Sequence, residues 1–179
     1  MTVYKILSDP AFALVYPDFA TISLRTPDRA GFLLAKSGKA PFGNAWVESP
    51  ALLDEGKTIP DISRLSGPHL VFSPAAHDCV AGLLNELGEW LPVVLGEATY
   101  WLFNCQNQID EVDEHASRLD EYEEIQALGF LPEQVAGQII WCTTYGVGRG
   151  LFCTDRLRSL VESNALTGLC FSRDLTARN

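Results

Sequence analysis

Two stretches of this chain follow one plan, and that plan narrows the possible folds more than any other feature of the sequence. His69-Leu-Val-Phe-Ser-Pro and Gly150-Leu-Phe-Cys-Thr-Asp each run from a short β-prone segment through a hydroxyl side chain into a helix opening. In the first, Ser73 has the side chain of an N-cap, and Pro74 fits the first helical position, where its missing N–H has no partner to lose. Ala76, Val80, Leu83, Leu84 and Leu87, with Cys79 beside them, then recur at helical spacing, and Gly88 is expected to close the helix. Residues 91–95 and 98–103, split by Gly96-Glu97, predict a strand pair. In the second stretch Thr154-Asp155 is expected to cap a helix whose apolar side is Leu157, Leu160 and Val161. Asn164 ends it, and residues 169–171 return as a strand. Two copies do not make a solenoid. Short strands mixed irregularly with two or three amphipathic helices predict an α+β fold, here as one domain over 1–179.

The remainder is less regular. Residues 3–7 read as a short strand and 135–145, rich in Ile, Trp and Thr, as a buried one. Gly146-Val-Gly-Arg-Gly reads as a turn between that strand and the second copy. From 10 to 60 the chain is interrupted by Pro17, Pro27, Pro41, Pro50 and Pro60 and by Gly31, Gly38 and Gly43. Short strands at 20–24 and 31–34 are expected between these breakers. The chain thus divides into a broken N-terminal part, 1–59, and a more patterned region, 60–171.

Charge excludes several functions. Twenty-three acidic residues oppose thirteen basic ones, for a net charge of −10. Nucleic-acid binding relies on Lys and Arg displacing counterions from phosphates, and no basic cluster of that kind is visible. The overall field repels nucleic acids and anionic membranes alike, and it attracts basic proteins. The five cysteines, Cys79, Cys105, Cys142, Cys153 and Cys170, are widely spread with no CxxC pair. They read as free, buried thiols of a reducing compartment. Asp9-Pro10 interrupts any apolar leader, and no run of about 18 apolar residues could span a bilayer, so a cytoplasmic protein is expected.

No catalytic constellation emerges. Gly146–Gly150 lacks the third glycine and the following helix of a dinucleotide fingerprint, and no Lys is placed for a phosphate. His77-Asp78-Cys79 names three reactive side chains, but neighbours on a helix point about 100° apart and cannot converge on one atom. Cys79 is expected on the apolar stripe, with His77 off it. His69, His77 and His115 are not spaced as ligand pairs, and the acidic stretch lacks the pattern of a calcium loop. No catalytic residue, metal or cofactor is therefore assigned.

The acidic stretch itself is the candidate contact surface. Residues 110–124 hold eight carboxylates in fifteen positions: Asp110, Glu111, Asp113, Glu114, Asp120, Glu121, Glu123 and Glu124. Val112, Ala116, Leu119, Tyr122 and Ile125 have helical spacing, and an exposed helix or a long ordered loop both fit. Such a run either stays solvated or steers a basic protein toward it. Among aromatic anchors, Trp90, Trp101 and Trp141 lie in strand-like runs and read as core, leaving Trp46 unassigned.

Three stretches of the chain carry a family resemblance. One is Pro60-Asp-Ile-Ser-Arg-Leu-Ser-Gly-Pro-His-Leu-Val-Phe-Ser, leading to Leu83-Leu-Asn-Glu-Leu87. The second is Trp90-Leu-Pro-Val-Val-Leu, then Tyr100-Trp-Leu-Phe-Asn and Ile109-Asp-Glu-Val-Asp113, with Ser117 beyond. The third is Ile139-Ile-Trp, Leu151-Phe-Cys-Thr and Leu166-Thr-Gly-Leu-Cys-Phe171. Over about 60–171 the chain resembles immunity family eleven of bacterial polymorphic toxin systems, formerly a domain of unknown function. It departs at Cys153, where members more often carry a small apolar residue. The resemblance implies an α+β protein that binds and neutralises a cognate toxin, and it implies no catalytic residues. A cytoplasmic inhibitor favours a toxin acting there, such as a basic nuclease domain. The competing expectation is a small enzyme or ligand-binding domain, which a deep pocket with convergent polar groups would favour.

Overall fold

The computed structural model describes residues 1–54, 56–146 and 150–178. Within them the predicted echo is present, and each copy is a split β-α-β unit. In the first copy β5 (His69–Phe72) leads through α3 (Pro74–Leu84) to β6 (Gly88–Leu95). β7 (Ala98–Cys105) lies between β5 and β6 and is antiparallel to both. In the second, β11 (Gly150–Thr154) leads through α5 (Asp155–Ser163) to β12 (Leu169–Ser172). The strand between those two is β1 (Val3–Ser8), again antiparallel to both. Two outer strands made parallel by a helical crossover, with an antiparallel strand filling the gap, give an α+β arrangement.

Each unit is extended into a larger sheet. The second forms a four-stranded sheet in the order β10-β11-β1-β12, with β10 spanning Ile140–Thr143. The first belongs to a six-stranded sheet ordered β2-β3-β6-β7-β5-β4. Its added strands are β2 (Val15–Pro17), β3 (Ser49–Leu53) and β4 (Ile62–Arg64). That sheet curls until its edges nearly meet: the Val15 N–H on β2 donates to Ser63 Oγ on β4 at 2.9 Å. A third pair, β8 (Arg118–Leu119) with β9 (Ile125–Ala127), stands apart.

One core joins the two sheets. Leu70, Phe72 and Phe103 from the large sheet and Ile6, Ile140 and Leu151 from the small one pack with Val80 and Leu84 of α3 and Leu157 and Val161 of α5. Period-2 alternation sends Val71, Val93 and Leu102 to the opposite face of the large sheet. There they meet Ile22 of α1 (Phe19–Arg25) and Phe32 and Ala35 of α2 (Arg29–Lys36). On the outer face of the small sheet, Trp141 and Phe152 pack against Ile109, Phe130 and Val135 from the connection between β7 and β10. The layers run from helical cover to sheet, shared core, second sheet and loop cover.

The seam between the sheets is polar and buried. Arg64 is 6% exposed and donates from Nε to the Ile6 carbonyl and from Nη1 to the His69 carbonyl. Burial pulls its pKa down to about 10, so it stays cationic at neutral pH. Asp61 accepts from the Thr167 N–H and hydroxyl, tying the bend before β4 to the turn before β12. Gly168 follows, at φ +100, where a Cβ would strike the Ile62 carbonyl oxygen. Only glycine tolerates both conditions.

Several sequence expectations are corrected. Residues 20–24 and 31–34 are helical, inside α1 and α2, because Asp18 and Asp28 accept from the N–H groups of Thr21 and Gly31 and cap each helix. Gly88 does not close α3, which ends at Leu84; it opens β6, where a side chain would collide with the Asn104 carbonyl. The strand expected over 135–145 is confined to Ile140–Thr143. Pro132–Val135 forms a helical turn, α4, and Gly137 at φ +79 reverses the chain. Of the turn at 146–150, residues 147–149 lie outside the described residues. Thr154 precedes α5 as expected but does not cap it with its side chain; its hydroxyl donates to the Gln138 carbonyl at 2.7 Å.

Candidate protein-binding surface

The acidic segment is a fastened loop and not a helix. Its apolar residues alternate inward, with Ile109 buried and Val112 and Leu128 packed beside Trp141 and Phe152. Its short carboxylates fasten the turns. Asp113 Oδ1 accepts from the His115 N–H, and its own N–H donates to the Gly129 carbonyl. Asp120 Oδ1 accepts from the N–H groups of Tyr122 and Glu124, both at 2.9 Å, and Oδ2 accepts from Gln126. Those amides hold the Asp120 carboxyl below its ordinary range. Glu123 closes the β8–β9 turn at φ +61, an uncommon conformation for a residue with a side chain.

Asp110 anchors the loop to the small sheet. Its Oδ1 accepts from the Thr144 N–H at 2.7 Å, and its Oδ2 accepts from Gln108. Partial burial raises its pKa, but the bonds from Thr144, Gln108 and Thr143 outweigh this, leaving the carboxyl below its usual value. Glu111 accepts from Gln134 of α4, and Glu124 pairs with Arg178 of the C-terminal tail. Glu114, Glu121 and Glu123 are exposed. The eight predicted carboxylates therefore divide: five are held by hydrogen bonds or an ion pair, and Glu114, Glu121 and Glu123 have no such partner among the described residues.

Four of them share an open cleft of about 670 Å³. Asp110, Glu111, Asp113 and Glu114 line it with His115, and Val112, Leu131 and Tyr145 supply its apolar and aromatic walls. Carboxylates beside an aromatic ring are suited to a cationic side chain, which gains charge-assisted hydrogen bonds and a ring face to lie on. At the other end of the segment, Tyr122 projects from the hairpin tip at 73% exposure.

The reactive side chains named by the sequence are not brought together. On α3 the apolar stripe faces inward as expected, but Cys79 and His77 take the opposite places from those expected. Cys79 is exposed, whereas the His77 ring packs 4.7 Å from Trp90 and 4.8 Å from Trp101. The inward stripe is Ala76, Val80 and Leu84, and His77 lies on its flank where two indoles from β6 and β7 offer a flat surface. Of the cysteines expected to be buried, Cys105, Cys142 and Cys153 are; Cys79 and Cys170 are exposed. Cys170 faces away because Leu169 and Phe171, its neighbours on β12, take the core side. Hydrogen bonding to Cys142 and burial push the Cys105 thiol well up, and burial does the same to Cys153, so neither is poised as a nucleophile. Among the described residues no three His, Cys, Asp or Glu side chains are grouped to hold a metal, and no helix is long and apolar enough to cross a membrane.

Trp141 is wholly buried, as its strand position predicts, while Trp46 donates from its indole to the Pro92 carbonyl. The helical cover went unread as a surface. Leu24, Leu33 and Leu34 on α1 and α2 are 83%, 55% and 51% exposed. The missed signal was Asp18 and Asp28, each three residues before the N–H it caps. No protein-family model matches the chain, and no curated protein matches it.

Proposed function

We propose that the protein acts by stoichiometric binding, as an immunity protein that neutralises a basic toxin domain, such as a nuclease, in the cytoplasm. The observation that carries this reading is the cleft formed by Asp110, Glu111, Asp113 and Glu114 around Tyr145 and Leu131. Three of its four carboxylates, Asp110, Glu111 and Asp113, are pre-set by the Thr144, Gln134 and His115 hydrogen bonds, so a Lys or Arg entering the cleft need not order them. Asp120, Glu121, Glu123 and Glu124 extend the same negative field along the hairpin, which speeds encounter more than it strengthens the bound state. The family resemblance over 60–171 supports the same function.

Co-expression with the toxin encoded by the neighbouring gene tests the proposal. Cells carrying both proteins survive, and Glu111→Lys with Glu114→Lys weakens the purified complex roughly tenfold or more, since like charges facing each other cost several kcal/mol. Equal killing with and without the protein removes the immunity reading. A second reading, a small organic cation in the same cleft, is favoured only by that cleft's volume, which falls in the range of ligand sites. Turnover or saturable binding of such a molecule by the purified chain decides for it.

A further inference from the structure

The helical cover is richer in basic residues than the chain as a whole. Four of the thirteen basic residues fall within 25–39: Arg25, Arg29, Lys36 and Lys39, all exposed. Asp18 and Asp28, which cap α1 and α2, and Glu48, which shares a cleft with Arg25, offset part of that charge and leave residues 18–48 at a net +1 in a chain of −10. Lys36 lies over the Phe19 ring at 5.1 Å; Arg25 shares α1 with the exposed Leu24, Arg29 shares α2 with the exposed Leu33 and Leu34, and Lys39 follows α2. Exposed leucines with a cationic rim select an anionic partner that also brings an apolar tip. The basic toxin of the preceding section has the wrong sign for this face.

A segment with the required chemistry exists in the chain itself. Asp120-Glu-Tyr-Glu-Glu124 forms a tight turn that presents Tyr122 at 73% exposure between two exposed glutamates. Within one molecule the two features are held apart: the turn belongs to the cover packed on Trp141 and Phe152, and the helices belong to the cover packed on Val71 and Leu102. We infer that the α1–α2 face takes the 120–124 hairpin of a second copy, with Tyr122 on the leucines and Glu121 and Glu123 against Arg25 and Arg29. The two contacting surfaces differ, so the interface is heterologous, and assembly continues past a dimer unless the rotation closes a ring. The inference does not depend on the toxin reading.

Sedimentation velocity on the purified chain alone tests it. At low salt the weight-average mass rises above 19.7 kDa with concentration, and it returns to the monomer when added salt screens the charges. Arg25→Glu/Arg29→Glu and Glu121→Lys/Glu123→Lys each raise the apparent dissociation constant roughly tenfold or more. All four side chains are exposed, so far-UV circular dichroism stays native. Mixing the two variants restores association, because the intact hairpin of one meets the intact helices of the other. A chain that stays at 19.7 kDa up to millimolar concentration at low salt overturns the inference. So does self-association that neither variant changes. Binding to phosphatidylglycerol vesicles that Arg25→Glu/Arg29→Glu abolishes, without self-association, assigns the face to anionic lipid and overturns it as well.

Discussion

The two split β-α-β units share a plan and a core, yet they differ in what covers them. The first carries on its outer face a pair of capped helices with buried Ile22 and Phe32. The second carries an acidic loop pinned through Ile109, Phe130 and the Asp110 carboxylate. Both units also need an intervening strand, but β7 follows β6 through a hairpin whereas β1 arrives from the other end of the chain. The lesson is a division of labour. The repeated unit builds the shared core, and the two unlike covers give the molecule two chemically different faces.

That division can be broken by experiment. Phe103→Ala empties part of the shared core and is expected to cost about 3–5 kcal/mol. Urea unfolding followed by tryptophan fluorescence and by circular dichroism then shows one transition shifted as a whole. Two separated transitions would mean that the units do not share a core. Glu89→Ala strips a carboxylate that accepts from the Phe42 and Gly43 N–H groups and from Asn104, at a cost of about 1–3 kcal/mol. Hydrogen exchange is expected to quicken in the segment joining the helical cover to β6, with the Thr144 amide of the acidic cover unchanged. Ser73→Ala removes a cap bonded to the Ala76 N–H and costs about 1 kcal/mol. Thr154→Val leaves the first turn of α5 as protected as before, because its hydroxyl serves Gln138.

The smallest effect separates the covers by pH. Asp110 and Asp120 have folded pKa values below the ordinary 3.8, so protons bind the unfolded chain more readily. Their contribution is complete above about pH 3.8 and is lost as pH falls through the lower folded values. Protection of the Thr144, Tyr122 and Glu124 amides, corrected for intrinsic exchange, is expected to fade in that window. Fading that begins near neutral pH would mean that other groups hold the loop.

What the sequence revealed follows the range of the forces involved. Ser73-Pro74 and the stripe Ala76, Val80, Leu84 are local signals, so α3 was legible. Around Asp18 and Asp28 the cap signal was equally local, but Thr21 and Ile22 favour strand and Gly31 disfavours helix, and together they masked it. Tertiary burial of Ile22, Phe32 and Ala35 decides for helix. The acidic segment has helical spacing at Val112, Ala116 and Leu119, but Asp113 and Asp120 bond to backbone N–H groups and compete with the helix. Its carboxylates were legible as a cluster. Their split into fastening and outward groups was not, because it depends on Thr144, Gln134 and Arg178, all distant in sequence.

The placement of β1 bears on how the chain is made. Tyr4 and Asp155 meet across 151 residues, so β1 leaves a ribosome well before the two strands it docks between. At about 5–20 residues per second, the interval between their emergence is roughly 8–30 s. Through it Tyr4 and Ile6, both destined for the interior, have no sheet to join. A nascent chain halted before residue 150 therefore holds a ready first unit and a stranded second one, and its small sheet cannot close at any waiting time.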